Sequence, residues 1–158
     1  MLDFFKTQEA QTSHRDTGGD TKTAPRDHAG DPAERLLGLD ILIVEDEAML
    51  ALDLSYAVED AGAEVRESAY SLASALALVS QAGFHVDAAI LDVDLGGSDV
   101  FPVAERLTAL DIPFLFHTGH GDRRHLTSLF PGAAVCIKPT LQDELIETLQ
   151  ALVARARR

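Results

Sequence analysis

The stretch AAILDVDLGG, Ala88 to Gly97, runs small and apolar residues into Asp92, Val93 and Asp94 and then into a glycine pair. A continuous apolar run closed by turn residues reads as a strand covered on both faces, the kind that parallel sheets contain. Its end poses the question, because a buried strand here delivers carboxylates into a glycine turn.

The same grammar recurs on either side. ILIVE, Ile41 to Glu45, is another apolar run closed by acid, with Asp46 next in line. AEVRESA (Ala63 to Ala69) alternates as a half-buried strand, and IPFLFHT (Ile112 to Thr118) and AAVCIK (Ala133 to Lys138) bring the strands to five. Helical patterns separate them. Glu47 to Ala61 places apolar residues at helical spacing and stops at Gly62, and Ser71 to Gln81 has Ser71 as an N-cap and Gly83 beyond its end. Asp99 to Leu110 tolerates Pro102 because that residue falls in the first turn. RRHLTSLF, Arg123 to Phe130, is a short or degenerate helix, and the last helix is expected from Leu141 to about Arg155 with Thr140 as its cap. Its acids come early and its arginines late, the favourable sense for the helix dipole. Strands alternating with helices predict an α/β fold: a parallel sheet with right-handed crossovers and helices on both faces.

Composition sets the surroundings. The 158-residue chain has room for one well-filled domain and carries a net charge of −13. That charge argues against a nucleic-acid partner, which needs clustered Lys and Arg, and favours metal cations and basic partner surfaces. Residues 1–38 hold 7 acidic and 5 basic residues and the remainder 19 and 8, so most of the acidity belongs to the folded part. Residues 1–38 are read as a disordered extension, because a segment so poor in apolar residues cannot offset its ordering entropy, and 39–158 as the domain. Leu2, Phe4 and Phe5 make an apolar start to that extension. A single cysteine, Cys136, excludes an intramolecular disulfide and suits a reducing cytoplasm, and no run is long enough to span a bilayer.

In parallel sheets ligands bind beyond the carboxyl ends of the strands, at a switch in strand order. Those ends carry Glu45 and Asp46 after the first strand, Asp92 after the third, Thr118 after the fourth and Lys138 after the fifth. Each has an ordinary alternative: Asp46 as a helix cap, Asp92 in an Asx-turn, Thr118 as a turn residue, Lys138 as a solvated lysine. Together they suit phosphoryl transfer. Neighbouring carboxylates invite a hard divalent cation such as Mg²⁺, and the remaining work is positioning and charge neutralisation. Asp92 is then the nucleophile, and Thr118 and Lys138 hold phosphoryl oxygens beside the metal. Asp94 is expected to turn its side chain away from Asp92, leave its carboxylate free and offer its backbone carbonyl to the metal. His117, His120 and His125 span a turn without a helical ligand pair, which argues against a zinc site.

Taken in order, IVEDE, ILDVDL, FHTG and IKP resemble the receiver domain of two-component response regulators over about residues 40–158. The resemblance implies a flavodoxin-like (CheY-like), doubly wound five-stranded sheet of order 2-1-3-4-5. It also implies phosphorylation of Asp92 by a sensor histidine kinase or phosphotransfer protein, with Mg²⁺ at Glu45, Asp46, Asp92 and the Asp94 carbonyl. Such a domain is a phosphoacceptor that assists its own phosphorylation and dephosphorylation rather than an enzyme, and it signals through protein contacts in the cytoplasm. DLGGSDVFPVAERL, IPFLFHTGHGD and the short segment before CIKP resemble the FAT GUY group of single-domain regulators, in which the fourth helix is reduced. His117 departs from that group's Ala, His120 stands near its aromatic, and Val135 stands where most receivers have an aromatic. The resemblance also makes Asp94 and His120 the pair that tunes acyl phosphate lifetime. Two alternatives carry less of the pattern. One is a haloacid-dehalogenase-type phosphohydrolase with Asp92 as nucleophile, and the other is a pseudo-receiver acting only as an interaction module.

Overall fold

The computed structural model describes residues 32–119 and 122–158. The expected disorder of residues 1–38 therefore falls largely outside the described residues, as does His120. Five strands, β1 (Asp40–Val44), β2 (Glu64–Ala69), β3 (Ala88–Leu91), β4 (Phe114–Thr118) and β5 (Ala134–Ile137), form one parallel sheet in the order β2-β1-β3-β4-β5. This is the expected order. The central runs are apolar because both faces are covered: β3 and β4 are buried throughout, whereas β2, at the edge, is mostly accessible.

Helices α1 (Ala48–Asp60) and α5 (Gln142–Ala156) cover one face, packing Leu54, Val58, Leu145 and Leu149 on Ile41, Ile43, Ile90 and Leu115. Helices α2 (Leu72–Val79), α3 (Phe101–Ala109) and α4 (Arg123–Leu129) cover the other, around Leu42, Leu91, Phe114 and Phe116. Ser71 caps α2 through a reciprocal pair with Ser74, as expected. Two local expectations are corrected. Leu141, not Thr140, is the N-cap of α5, and the Thr140 hydroxyl donates instead to the Ile137 carbonyl at 2.7 Å. Helix α3 starts at Phe101 rather than Asp99, because Asp99 is paired with Asp94 across the preceding loop.

A short 3-10 turn, Pro32–Glu34, leads into β1. Leu36, 1% exposed, is part of the α1/α5 core layer, and its N–H donates to the Ala61 carbonyl at 2.8 Å. Packing therefore begins ahead of Leu39. The approach is close enough to dictate a glycine: Gly62 has φ +91°, and a Cβ there would lie 2.6 Å from the Ala33 carbonyl oxygen.

Candidate functional site

In this order the chain winds one way from β1 to β2 and the other way from β3 onward, so β1 and β3 flank the switch point. Glu45 and Asp46 follow β1 and Asp92 follows β3, and the Asp92 N–H donates to the Val44 carbonyl at 2.8 Å. Carboxylate oxygens of Glu45, Asp46 and Asp92 all lie within 4.8 Å of one another. From the far side, Lys138 reaches in after β5: its ammonium donates to Glu45 Oε2 and to Asp92 Oδ2, each at 2.7 Å. The peptide bond from Lys138 to Pro139 is cis, and the Lys138 N–H donates to the Thr118 carbonyl at 2.8 Å. Thr118 is buried at the end of β4.

The carboxylates differ in setting. Glu45 is 1% exposed, Asp92 lies at the margin of burial with 9%, and Asp46 stands exposed at the mouth. Burial pushes the Glu45 carboxyl above the usual carboxylate range and neighbouring Asp92 adds to the rise, against the opposing hydrogen bond from Lys138. Burial by itself would lower the Lys138 ammonium, but its hydrogen bonds to Asp92 and Glu45 outweigh burial and hold it above the ordinary lysine value. Lys138 is thus a firmly charged cation rather than a solvated lysine, and one such cation does not balance three carboxylates. Hard oxygen donors gathered with an excess of negative charge fit a divalent cation of the Mg²⁺ or Ca²⁺ type.

Asp94 needs a correction. In a continuing strand, residues two apart would share a face, so strand geometry would not separate Asp94 from Asp92. What separates them is the end of β3 at Leu91: the chain turns, Asp94 is exposed, and its Oδ1 accepts from the Gly97 N–H at 2.6 Å. Its carboxylate is not free but closes the loop. Gly96 and Gly97 take φ of +65° and +89°, which the turn demands. His117, read in the sequence only as part of a histidine-bearing turn without a ligand pair, lies within β4. It is buried, and its Nδ1 has no hydrogen-bond partner among the described residues.

With this geometry in place, the chain can be compared with known proteins. The model of the response regulator receiver domain matches residues 41–150. The chain belongs to this family. No curated protein matches it. The receiver domain is similar to SdrG from Sphingomonas melonis Fr1, with 42% identity over 75% of this chain and 98% of that one and a TM-score of 0.61. It is similar also to a putative response regulator from Chloroflexus aurantiacus, with 30% identity over 75% and 99% of the two chains and a TM-score of 0.63. CheY in the CheX-CheY-BeF3-Mg complex from Borrelia burgdorferi shares the fold at 16% identity, over 73% of this chain and 90% of that one, with a TM-score of 0.65. The receiver is a two-component response regulator. The haloacid-dehalogenase reading finds no support: Asp143, Glu144 and Glu147, the acids after Lys138, all lie in α5, and Asp143 pairs with Arg35. Among the described residues, no helix is long and apolar enough to cross a membrane.

Proposed function

We propose that Asp92 of this receiver accepts a phosphoryl group from a sensor histidine kinase or phosphotransfer protein. The observation that carries the reading is one ammonium, Lys138, bonded to both Glu45 and Asp92 inside a three-carboxylate cluster at the carboxyl ends of the strands. An oxygen of Asp92 attacks phosphorus as the bond to the donor histidine nitrogen breaks, leaving an acyl phosphate on Asp92. Lys138, already paired with that carboxylate, takes one phosphoryl oxygen, and the Thr118 hydroxyl donates to another. Glu45, Asp46, Asp92 and the main-chain carbonyl of Asp94 would hold Mg²⁺, whose charge offsets the carboxylates and the incoming oxygens. The Borrelia CheY complex, with Mg²⁺ and a protein partner, supports this reading by analogy of fold.

The short α4 of seven residues and the FHTG run support placement near the FAT GUY group, and output through protein contacts. Asp94, with His120, is assigned to setting how long the phosphoryl group survives. Labelling with radioactive acetyl phosphate and Mg²⁺ tests the set. The wild type is expected to label stoichiometrically, Asp92→Asn not at all, and Thr118→Ala at least tenfold more slowly but to the same end point. Asp94→Asn should change the decay of the label without changing its site. Label retained by Asp92→Asn, or a wild type that takes none, would overturn the assignment.

A further inference from the structure

Helices α1 and α5 leave a cleft between them that runs from near the start of the described chain to the rim. Its wide end, about 510 Å³, is lined by Leu50, Leu54, Ala57, Leu145, Pro139 and Lys138 among others. It continues into a narrow end of about 210 Å³ with Arg35, Asp143 and Ile146 in its walls, and the two ends share Ala57 and Gln142. Met49 and Leu141, next in sequence to residues of the wide end, are exposed. A contiguous apolar surface of this kind marks a place where something binds.

The chain carries an occupant of matching chemistry and reach. Leu2, Phe4 and Phe5 stand together in sequence, and the 26 residues from 6 to 31 hold no apolar side chain larger than proline. A cavity of about 150 Å³ accepts a benzene ring, so the wide end has room for the two rings and the leucine. The described chain starts at the narrow end. Arg35 lines it and pairs with Asp143 at 3.1 Å, and the Leu36 N–H is bonded to the carbonyl of Ala61, the C-cap of α1. Leu50 lies 11 residues before Ala61, about 16 Å along the helix. A coil of 26 residues spans about 25 to 30 Å, enough to lay Phe4 and Phe5 over Leu50 and to hold them there at an effective concentration of about 1 mM. Lys6, directly after the rings, brings a positive charge to walls that include Asp53, in a domain where acids outnumber bases by 19 to 8.

We propose that residues 2–6 of this same chain dock in the wide end of the cleft, with Leu2, Phe4 and Phe5 on Leu50, Leu54 and Leu145 and with Lys6 facing Asp53. The contact does not depend on Asp92 being the phosphoacceptor. Lys138, which is bonded to Asp92, lines the same space, so the docked segment stands beside the carboxylate cluster. Occupied in this way, the α1–α5 side of the rim is closed to any other protein until the segment leaves.

Paramagnetic broadening in amide NMR of the full chain tests this. A nitroxide on Thr7→Cys, with the buried Cys136 left unlabelled, should cut the resonances of Leu54, Thr140 and Gln142 to less than a third and spare those of Leu129 and Gly132. Adding Phe4→Ser and Phe5→Ser should restore the three. A mixture of nitroxide-bearing chain at natural isotope abundance with isotope-enriched chain lacking the nitroxide should show no broadening. Broadening in that mixture would assign the cleft to a second copy. Broadening that is even over the domain, centred on Leu129 and Gly132, or unchanged by the two serines would mean that residues 2–6 do not dock there. Each of these results overturns the proposal.

Discussion

Lys138 Nζ lies 2.7 Å from an oxygen of Glu45 and 2.7 Å from one of Asp92, so a single ammonium serves two carboxylates. Those residues are 93 and 46 positions away in sequence, and no local pattern pairs them. His117 is the other residue whose setting matters. Burial, then nearby Lys138, lowers its pKa from 6.5 to about 4, with Asp92 opposing. In the unfolded chain the imidazole takes its proton near pH 6.5, so between that pH and about 4 the unfolded state binds a proton that the folded state refuses. Its contribution to stability is therefore present above pH 6.5 and is lost as the pH falls, by about 2 to 3 kcal/mol at pH 4.5. Urea unfolding at pH 7 and pH 4.5 is expected to show a loss smaller by that amount in His117→Leu. An equal loss in the two proteins would mean that His117 is not held neutral.

At the scale of elements, α2 shows how a local signal becomes stability. The Ser71 hydroxyl accepts from the Ser74 N–H while the Ser74 hydroxyl accepts from the Ser71 N–H, each at 3.2 Å. Ser71→Ala removes half of this box and should cost about 1 kcal/mol in denaturant unfolding. A loss below a few tenths would show the cap to be idle. Ser71, Gly62 and Pro102 were legible because caps, stops and first-turn prolines act within a few residues. Thr140 misled because a hydroxyl ahead of a helix can serve either the helix or the strand behind it. Here Ile137 holds it. The short α4 was legible from the small space between IPFLFHT and AAVCIK, whereas the convergence of Phe101, Phe114, Phe116 and Phe130 from α3, β4 and the end of α4 was not, since it requires the layers to be stacked.

For the molecule as a whole, the alternation of apolar runs and helical patterns was enough to predict a parallel sheet with a reactive rim. The order of its strands was not contained in those runs and came from the family resemblance. That order brings Glu45, Asp46 and Asp92 together in a chain that already carries −13, which makes a site for divalent cations a relief of repulsion as well as a functional device. A ligand that binds the folded state alone stabilises it by about 2.7 kcal/mol at a concentration 100 times its Kd. Saturating Mg²⁺ should therefore raise the Tm beyond the effect of NaCl at equal ionic strength, and Asp46→Asn should remove most of the difference. Equal Tm in the two salts would exclude a specific site.

The brace formed by Leu36 against Ala61 and Gly62 sits beside the α1–β2 turn, at the amino ends of the strands and opposite the rim that carries Asp92. Leu37 projects from it, 68% exposed. The sole thiol, Cys136, is buried, and that burial raises its pKa. A cysteine placed at position 37 would be the one that reacts. Tethered to a surface through that atom, the molecule would stand with the Asp92 rim turned outward, open to whatever protein is flowed across it.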